Sequence, residues 1–490
     1  MPKHPPGPTN FNAGIGLTWR HGLALWWNPL AYVTKLAETY GDLAFFRVFN
    51  SRLYVVNQPS LIREVLVVQQ KSFRKLEHSR RVLGSSFGNG LILSEGEPWL
   101  RQRRRLAGIF DGTRMQRYAD VTVRHTQQFL RRWRERRQIN TAESLIELTM
   151  VIIGEILFHA DLTERAPELG RTALTGATVF SQEEYSPCVL PDWLPLPGKR
   201  RKRQVNQVFR RLIGDLFDER SESRARRDDL LDLLLAAAAL PVEQGGLTLD
   251  QAVDEAMVLF HGGYHSSSMA LAWALHLLSQ HPDVLDQVAA EADQVFGDRD
   301  PTLADVGQLR YTEMVLKESM RIYPPAWELF ARENTTDIEL GGYSIQKGGI
   351  FLIYPLVTQR DKRFFPDPMK FDPERFSPER EWAIPNMAYF PFGAGPHACI
   401  GKTLAMMEMT LILAMIAREF SLSQAKGQAS QIRPQPLIAI RPQPEIVLSL
   451  QPRRQPAVTT ELVSDCTAWR PSGEKRCRSP FASPTGFRGQ

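Results

Sequence analysis

Ten residues that run straight into a long apolar helical stretch, Phe392-Gly393-Ala394-Gly395-Pro396-His397-Ala398-Cys399-Ile400-Gly401, constrain this chain more than any other feature. Glycines at 393, 395 and 401 let the backbone pass close to a flat group where side chains would collide. Phe392 is placed to shield the cysteine sulfur, and backbone N–H groups at the start of the following helix favour that sulfur as a thiolate. The plain alternative is a buried structural cysteine beside a glycine turn, the usual meaning of an isolated Cys-Xaa-Gly. Here phenylalanine, glycine, histidine and cysteine stand together in one short run, which makes Cys399 a candidate metal-binding thiolate beside that alternative.

That run resembles the haem-binding loop of the cytochrome P450 family, Phe-Xaa-Xaa-Gly-Xaa-Arg/His-Xaa-Cys-Xaa-Gly, with Phe392, Gly395, His397, Cys399 and Gly401 at the fixed positions. The resemblance implies haem b, iron protoporphyrin IX, with Cys399 as axial ligand and Phe392, Gly393 and Gly401 around it. A thiolate there pushes electron density onto iron and favours O–O cleavage. It also implies the family's helix-rich triangular prism, with haem between a long central helix and the helix that follows the cysteine.

Other segments resemble the family at independent places. Glu97-Pro98-Trp99-Leu100-Arg101-Gln102-Arg103 is similar to its Trp-Xaa-Xaa-Xaa-Arg helix, where the i, i+4 spacing points Trp99 and Arg103 at one haem propionate. Arg332 and His397 complete the implied propionate set. Arg101, Arg104 and Arg105 read as a solvated helix face, or as a docking face for an acidic electron-transfer protein. Glu318-Ser319-Met320-Arg321 alone is an ordinary helical pair. With Arg375 in Phe371-Asp372-Pro373-Glu374-Arg375-Phe376 it matches the family's buried network, which is expected to fix the loop before Cys399.

Residues 252–280 read as the central helix, with Gly262-Gly263-Tyr264-His265-Ser266 in its middle. The glycines are expected to make room for dioxygen and a widened turn. Where the family has an acid followed by threonine, this chain has His265 and Ser266. The resemblance assigns both to proton delivery during oxygen activation; the alternative is a histidine and serine satisfying backbone carbonyls of a bent helix. A substrate cavity is expected to draw on Phe87, Gly262, Ala326, Glu328 and Ile438, with Glu328 its odd polar member.

The remaining pattern is mainly α with small β-sheets. A helix is predicted at 29–40, a hairpin at 43–56 around Asn50-Ser51, and strands at 337–345, 349–354 and within 432–450, with Pro98, Pro187, Pro191, Pro195 and Pro282 as helix stops. Residues 1–454 are expected to form one haem domain, and 455–490, rich in Arg, Ser, Pro and Gly, a disordered tail too short for a fused reductase.

Composition narrows the setting. Cys188, Cys399, Cys466 and Cys477 show no Cys-Xaa-Xaa-Cys spacing, so neither a disulfide framework nor a zinc site is indicated. A net charge of +6 comes with no nucleic-acid motif, and no apolar run approaches the roughly 18 residues of a membrane span. A cytoplasmic, soluble bacterial-type monomer is expected, with at most peripheral membrane contact through the apolar loop 189–198 and the basic cluster 199–203, which otherwise form a mobile lid with a solvated helix start. The resemblance as a whole implies a monooxygenase that takes O2, a small lipophilic substrate and electrons from a ferredoxin or flavodoxin with its NAD(P)H reductase. The His265/Ser266 departure keeps open a peroxide-driven or specialised enzyme performing isomerisation or coupling, and a non-catalytic haem-thiolate binding protein.

Overall fold

Thr248 starts the longest helix by accepting from the Gln251 N–H while the Gln251 side chain accepts from the Thr248 N–H. The helix then runs unbroken over Leu249–Gln280, and the next, Pro282–Phe296, begins on a proline that needs no N–H partner. Its apolar residues face more than one direction, so it is buried in the middle of the protein. Helices Thr141–Phe158, Arg310–Ile322 and Lys402–Glu419 pack around it.

The computed structural model describes residues 4–8, 18–186, 188–223, 226–429 and 431–453. The tail expected at 455–490 and the stop expected at Pro187 lie outside the described residues. The predicted first helix forms over Pro29–Tyr40. The hairpin Leu43–Val48 and Ser51–Val56 opens a five-stranded sheet that continues with Gly349–Ile353, Arg332–Asn334 and Phe73–Lys75. Short pairs form within the strand region predicted at 337–345, where Gly341-Gly342 turns the chain between Ile338–Leu340 and Tyr343–Ile345, and within the last strand region.

Two expectations need correction. Pro98 does not stop a helix; it lies in the first turn of Gly96–Ala107, where the missing N–H would have been unpaired anyway. The start of helix Pro197–Ser223 is not uniformly solvated. Lys199 and Lys202 are buried, with Lys199 Nζ 2.7 Å from Asp192 and Lys202 Nζ 2.7 Å from Glu183, so only Arg200, Arg201 and Arg203 of that cluster remain exposed. These ion pairs tie the loop ahead of the helix to the end of Ala166–Glu184.

The strands Arg433–Gln435 and Arg441–Gln443 hold residues 437–440 against the interior. Two buried indoles fix that loop: Trp327 Nε1 donates to the Leu437 carbonyl at 2.8 Å and Trp273 Nε1 to the Ile440 carbonyl at 3.0 Å.

Candidate active site

A cavity of about 510 Å³ lies between the middle of the long helix and the loop before Lys402–Glu419. Cys399 lines it, and its accessible side-chain surface opens into this space. The loop is held by its own backbone: Cys399 N–H donates to the Phe392 carbonyl at 2.9 Å, Ala398 to Gly395 at 3.1 Å and Gly393 to Phe390 at 3.0 Å. Gly393 and Gly395 take φ of +68° and +67°, which side-chain-bearing residues resist. Gly401 has an ordinary φ of −92°. At Gly395 the close neighbour is protein: a Cβ there would stand 2.1 Å from the Leu66 carbonyl oxygen. Gly395→Ala is therefore expected to cost roughly 1–2 kcal/mol from backbone strain alone, and more from moving Leu66. Thermal unfolding and haem retention measure this, and an unchanged midpoint would count against it.

Burial pushes the free Cys399 thiol up, while the Gly401 N–H, Arg103 and Lys402 pull it back. A metal cation on the sulfur would favour the thiolate against that burial. The cavity rim supplies the opposite imbalance. Trp99 and His397 stack with ring centroids 4.0 Å apart, and Arg103 lies 5.8 Å from the Trp99 ring. Arg332 joins them from its strand, with Lys75 directly opposite it in the ladder. The carboxylate recorded beside these cations is Glu95, 3.6 Å from Lys75 and 3.9 Å from Arg332. Burial, followed by the charge of Lys75, Arg332 and Arg103, lowers the His397 pKa to about 3. Crowded cations at one edge and a cysteine sulfur lining the same cavity fit a haem with two propionates. Lys75 was missed from sequence because a three-residue strand carries no pattern that pairs it with Arg332.

Behind the loop, Glu318 and Arg321 are fully buried and bonded at two points, 2.7 and 2.8 Å. Arg375 Nε stands 3.3 Å from Glu318, outside hydrogen-bonding geometry but within ion-pair range. Arg321 also donates to the Gln359 and Pro368 carbonyls, and Glu318 accepts the Asp372 N–H. Gln359, which sequence reasoning missed, carries this network to the loop. Its amide donates to the Met320 carbonyl at 2.9 Å and its oxygen accepts the Phe390 N–H at 3.0 Å.

Across the cavity, the two mid-helix glycines have different reasons. A Cβ on Gly263 would meet Ile153 at 2.3 Å, whereas one on Gly262 would meet nothing within 4 Å. The helix stays α-helical here, so the expected widened turn is absent. Gly262→Ala is expected to raise stability by up to about 1 kcal/mol while narrowing the cavity, and Gly263→Ala to lower it; paired melting curves separate the two. Ser266 Oγ donates back to the Gly262 carbonyl at 2.9 Å. His265 has a buried Nε2 without a hydrogen-bond partner, and burial, then His261 and Arg441, lower its pKa to about 4. The imidazole is therefore neutral at physiological pH, although an unperturbed histidine would titrate near it.

Phe87, Gly262, Ala326, Glu328 and Ile438 all line the cavity. Of the basic helix face, Arg101 and Arg104 are exposed, but Arg105 donates to the Gly245 carbonyl. Glu328 is half-buried: Tyr185 donates to it, and burial pushes its pKa from 4.5 to about 8. Between those values the native state holds a proton that the unfolded chain has released. Its contribution is therefore most favourable below about pH 4.5 and is lost as pH rises to about 8, at up to about 1.4 kcal/mol per pH unit. Glu328→Gln is expected to flatten this decline in a series of unfolding curves; an unaltered slope would show that Glu328 is ionised in the native protein.

A family model described as Cytochrome P450 matches residues 5–449. The chain is 32% identical over 433 residues to the cyclooctat-9-en-7-ol 5-monooxygenase of Streptomyces melanosporofaciens, covering 87% of this chain and 92% of that protein. It is 34% identical to cyclooctatin synthase of the same organism, with 86% and 91% covered. It is 29% identical to the pentalenene oxygenase of Streptomyces avermitilis, with 82% and 88% covered.

Proposed function

Because this chain belongs to the cytochrome P450 family and is one of its monooxygenases, we propose that it hydroxylates a small lipophilic substrate of terpenoid character, using O2 and electrons delivered singly by a separate ferredoxin or flavodoxin and its NAD(P)H reductase. The observation that carries this is the cavity, in which Cys399 on one side faces Gly262 and a largely apolar wall including Phe87, Leu91, Phe180 and Leu437. The relatives' names, a cyclooctat-9-en-7-ol 5-monooxygenase and a pentalenene oxygenase, support the substrate class.

Haem b held there supplies the redox and oxygen-activating chemistry. Cys399 would ligate its iron, and Trp99, Arg103, Arg332, His397 and Lys75 would hold its propionates. Phe392 shields the sulfur, and the Gly393 and Gly401 backbone shapes the ligand loop. The apolar wall excludes water and orients the substrate by shape. Ser266 hands a proton into the cavity by turning its hydroxyl away from the Gly262 carbonyl, a rotation that the absence of β-branching leaves easy. His265, held neutral, relays protons by accepting at one ring nitrogen and releasing from the other.

A second reading, peroxide-driven turnover, is favoured by the Ser266 hydroxyl being engaged with its own helix and by the uncharged His265. The test is product analysis with purified holoenzyme, preceded by Soret titration against terpenoids, fatty acids, steroids and aromatic compounds. Oxygenated product with NAD(P)H, reductase and ferredoxin supports the main reading. Product with hydrogen peroxide alone moves the assignment to the second, and saturable binding without product under either condition overturns both.

Among the described residues no helix is long and apolar enough to cross a membrane. The proposal places the enzyme in the cytoplasm as a monomer. Exposed Leu190, Trp193 and Leu196 offer at most a peripheral contact with lipid.

A further inference from the structure

Most large apolar side chains of the fold turn inward, but the helix Trp19–Trp27 turns four of them out. Trp19, Leu23, Trp26 and Trp27 are 45%, 42%, 47% and 85% exposed, and their i, i+4, i+7, i+8 spacing puts them on one face. The opposite face is docked. His21 Nδ1 lies 2.5 Å from the Tyr32 hydroxyl, Leu25 packs against the main core, and Gly22 sits so close to the hairpin that a Cβ there would stand 3.0 Å from Val48. Phe49, which follows Val48 at the hairpin tip, is 48% exposed with a φ of +51°, a conformation that bulky residues resist. Packing therefore fixes the helix in place and points one apolar stripe, extended by Phe49, outward.

Charge and size decide what that stripe suits. Segments 18–36 and 43–58, which hold the helix and the hairpin, contain Arg20, Lys35, Arg47 and Arg52 and no Asp or Glu. Arg20 lies exposed on the helix itself. Indoles beside cations are the side chains of a helix lying in a bilayer interface, where the rings enter at headgroup level and the cations meet anionic lipid. At nine residues the helix is about 14 Å long, too short to cross a hydrocarbon core of about 30 Å. A protein partner fits less well, because a stable interface engages roughly 20–30 residues a side and this face offers five large side chains.

We propose that the helix Trp19–Trp27, together with Phe49, docks the enzyme reversibly on the surface of a bilayer that contains anionic lipid. The tryptophans enter the interface, and Arg20 stays at its edge among the headgroups. The contact uses other residues than the loop 189–196. None of its residues lines the cavity, so docking does not depend on which reaction the enzyme performs and is tested independently of it.

The experiment is flotation of full-length holoenzyme with vesicles of phosphatidylcholine alone and of an equimolar mixture of phosphatidylcholine and phosphatidylglycerol. The expected result is flotation with the mixed vesicles, weakened by high salt and by the neutral composition. Trp26→Ser combined with Trp27→Ser lowers the partition constant at least about tenfold, and Arg20→Gln lowers it about fivefold on the mixed vesicles. Trp382→Ser, which removes a comparably exposed indole elsewhere, leaves it unchanged. A reduced carbon monoxide spectrum like that of the parent protein establishes that each variant is folded, and Trp27→Ser alone decides the matter if the double variant is not. No flotation with either composition, undiminished flotation of the folded tryptophan variants, or an equal loss in Trp382→Ser overturns the inference. So does a concentration-dependent dimer in sedimentation that the double variant loses, since the stripe would then be covered by a second copy of the chain.

Discussion

Glu318→Ala is expected to yield protein with little bound haem and a sharply lowered thermal midpoint. The carboxylate is the counter-charge for Arg321, which is fully buried, and for Arg375, which is 8% exposed. Its removal strands two guanidiniums without their partner, a type of change that typically costs about 3–5 kcal/mol. The damage should reach the cofactor because Arg321 holds the Gln359 carbonyl, and the Gln359 side chain holds Phe390 N–H, two residues before Phe392. Glu318→Gln preserves shape but not charge, so it should fare little better. Arg321→Ala should fail in the same way by leaving Glu318 with Arg375 alone. The haem-to-protein absorbance ratio is the direct measurement, and normal haem content in both Glu318→Ala and Arg321→Ala would refute the clamp.

Cys399→Ser is expected to retain the fold and abolish oxygenation. The loop's hydrogen bonds at this position run through the backbone, Cys399 N–H to the Phe392 carbonyl, and survive the exchange of sulfur for oxygen. What is lost is the thiolate. With Cys399 as the proposed iron ligand, a serine hydroxyl, which stays protonated, would not supply the electron density that favours O–O cleavage. The reduced carbon monoxide spectrum should change from that of a thiolate-ligated haem to that of a haem with a neutral ligand, with product falling below detection. A parent-like spectrum in this variant would mean that another group ligates the iron.

These expectations draw unequally on sequence and structure. The Cys399 loop, the Trp99/Arg103 pair and the Glu318/Arg321 pair were legible through the family resemblance, whose motifs each lie within one local stretch; spacing by itself says only which side chains share a face. The hairpin at 43–56 was legible for the same reason. Lys75 and Gln359 were not: each acquires its role from a strand or loop far away in the chain, and no local periodicity marks either. The basic cluster 199–203 shows the converse error, since a run that looks solvated in sequence places two lysines against distant carboxylates.

By itself, then, the sequence determined the ligand loop, the helical class and the residue types offered to the cofactor, because these follow from contacts within a turn or two. Tertiary packing alone decided their states. Burial turned His265 from a titrating group into a neutral one and pushed the pKa of the cavity's odd polar member, Glu328, up to about 8. The intact helix bonded Ser266 to Gly262. Desolvation and partners brought from elsewhere in the chain set protonation and hydrogen bonding, and neither is encoded in the spacing of neighbouring residues.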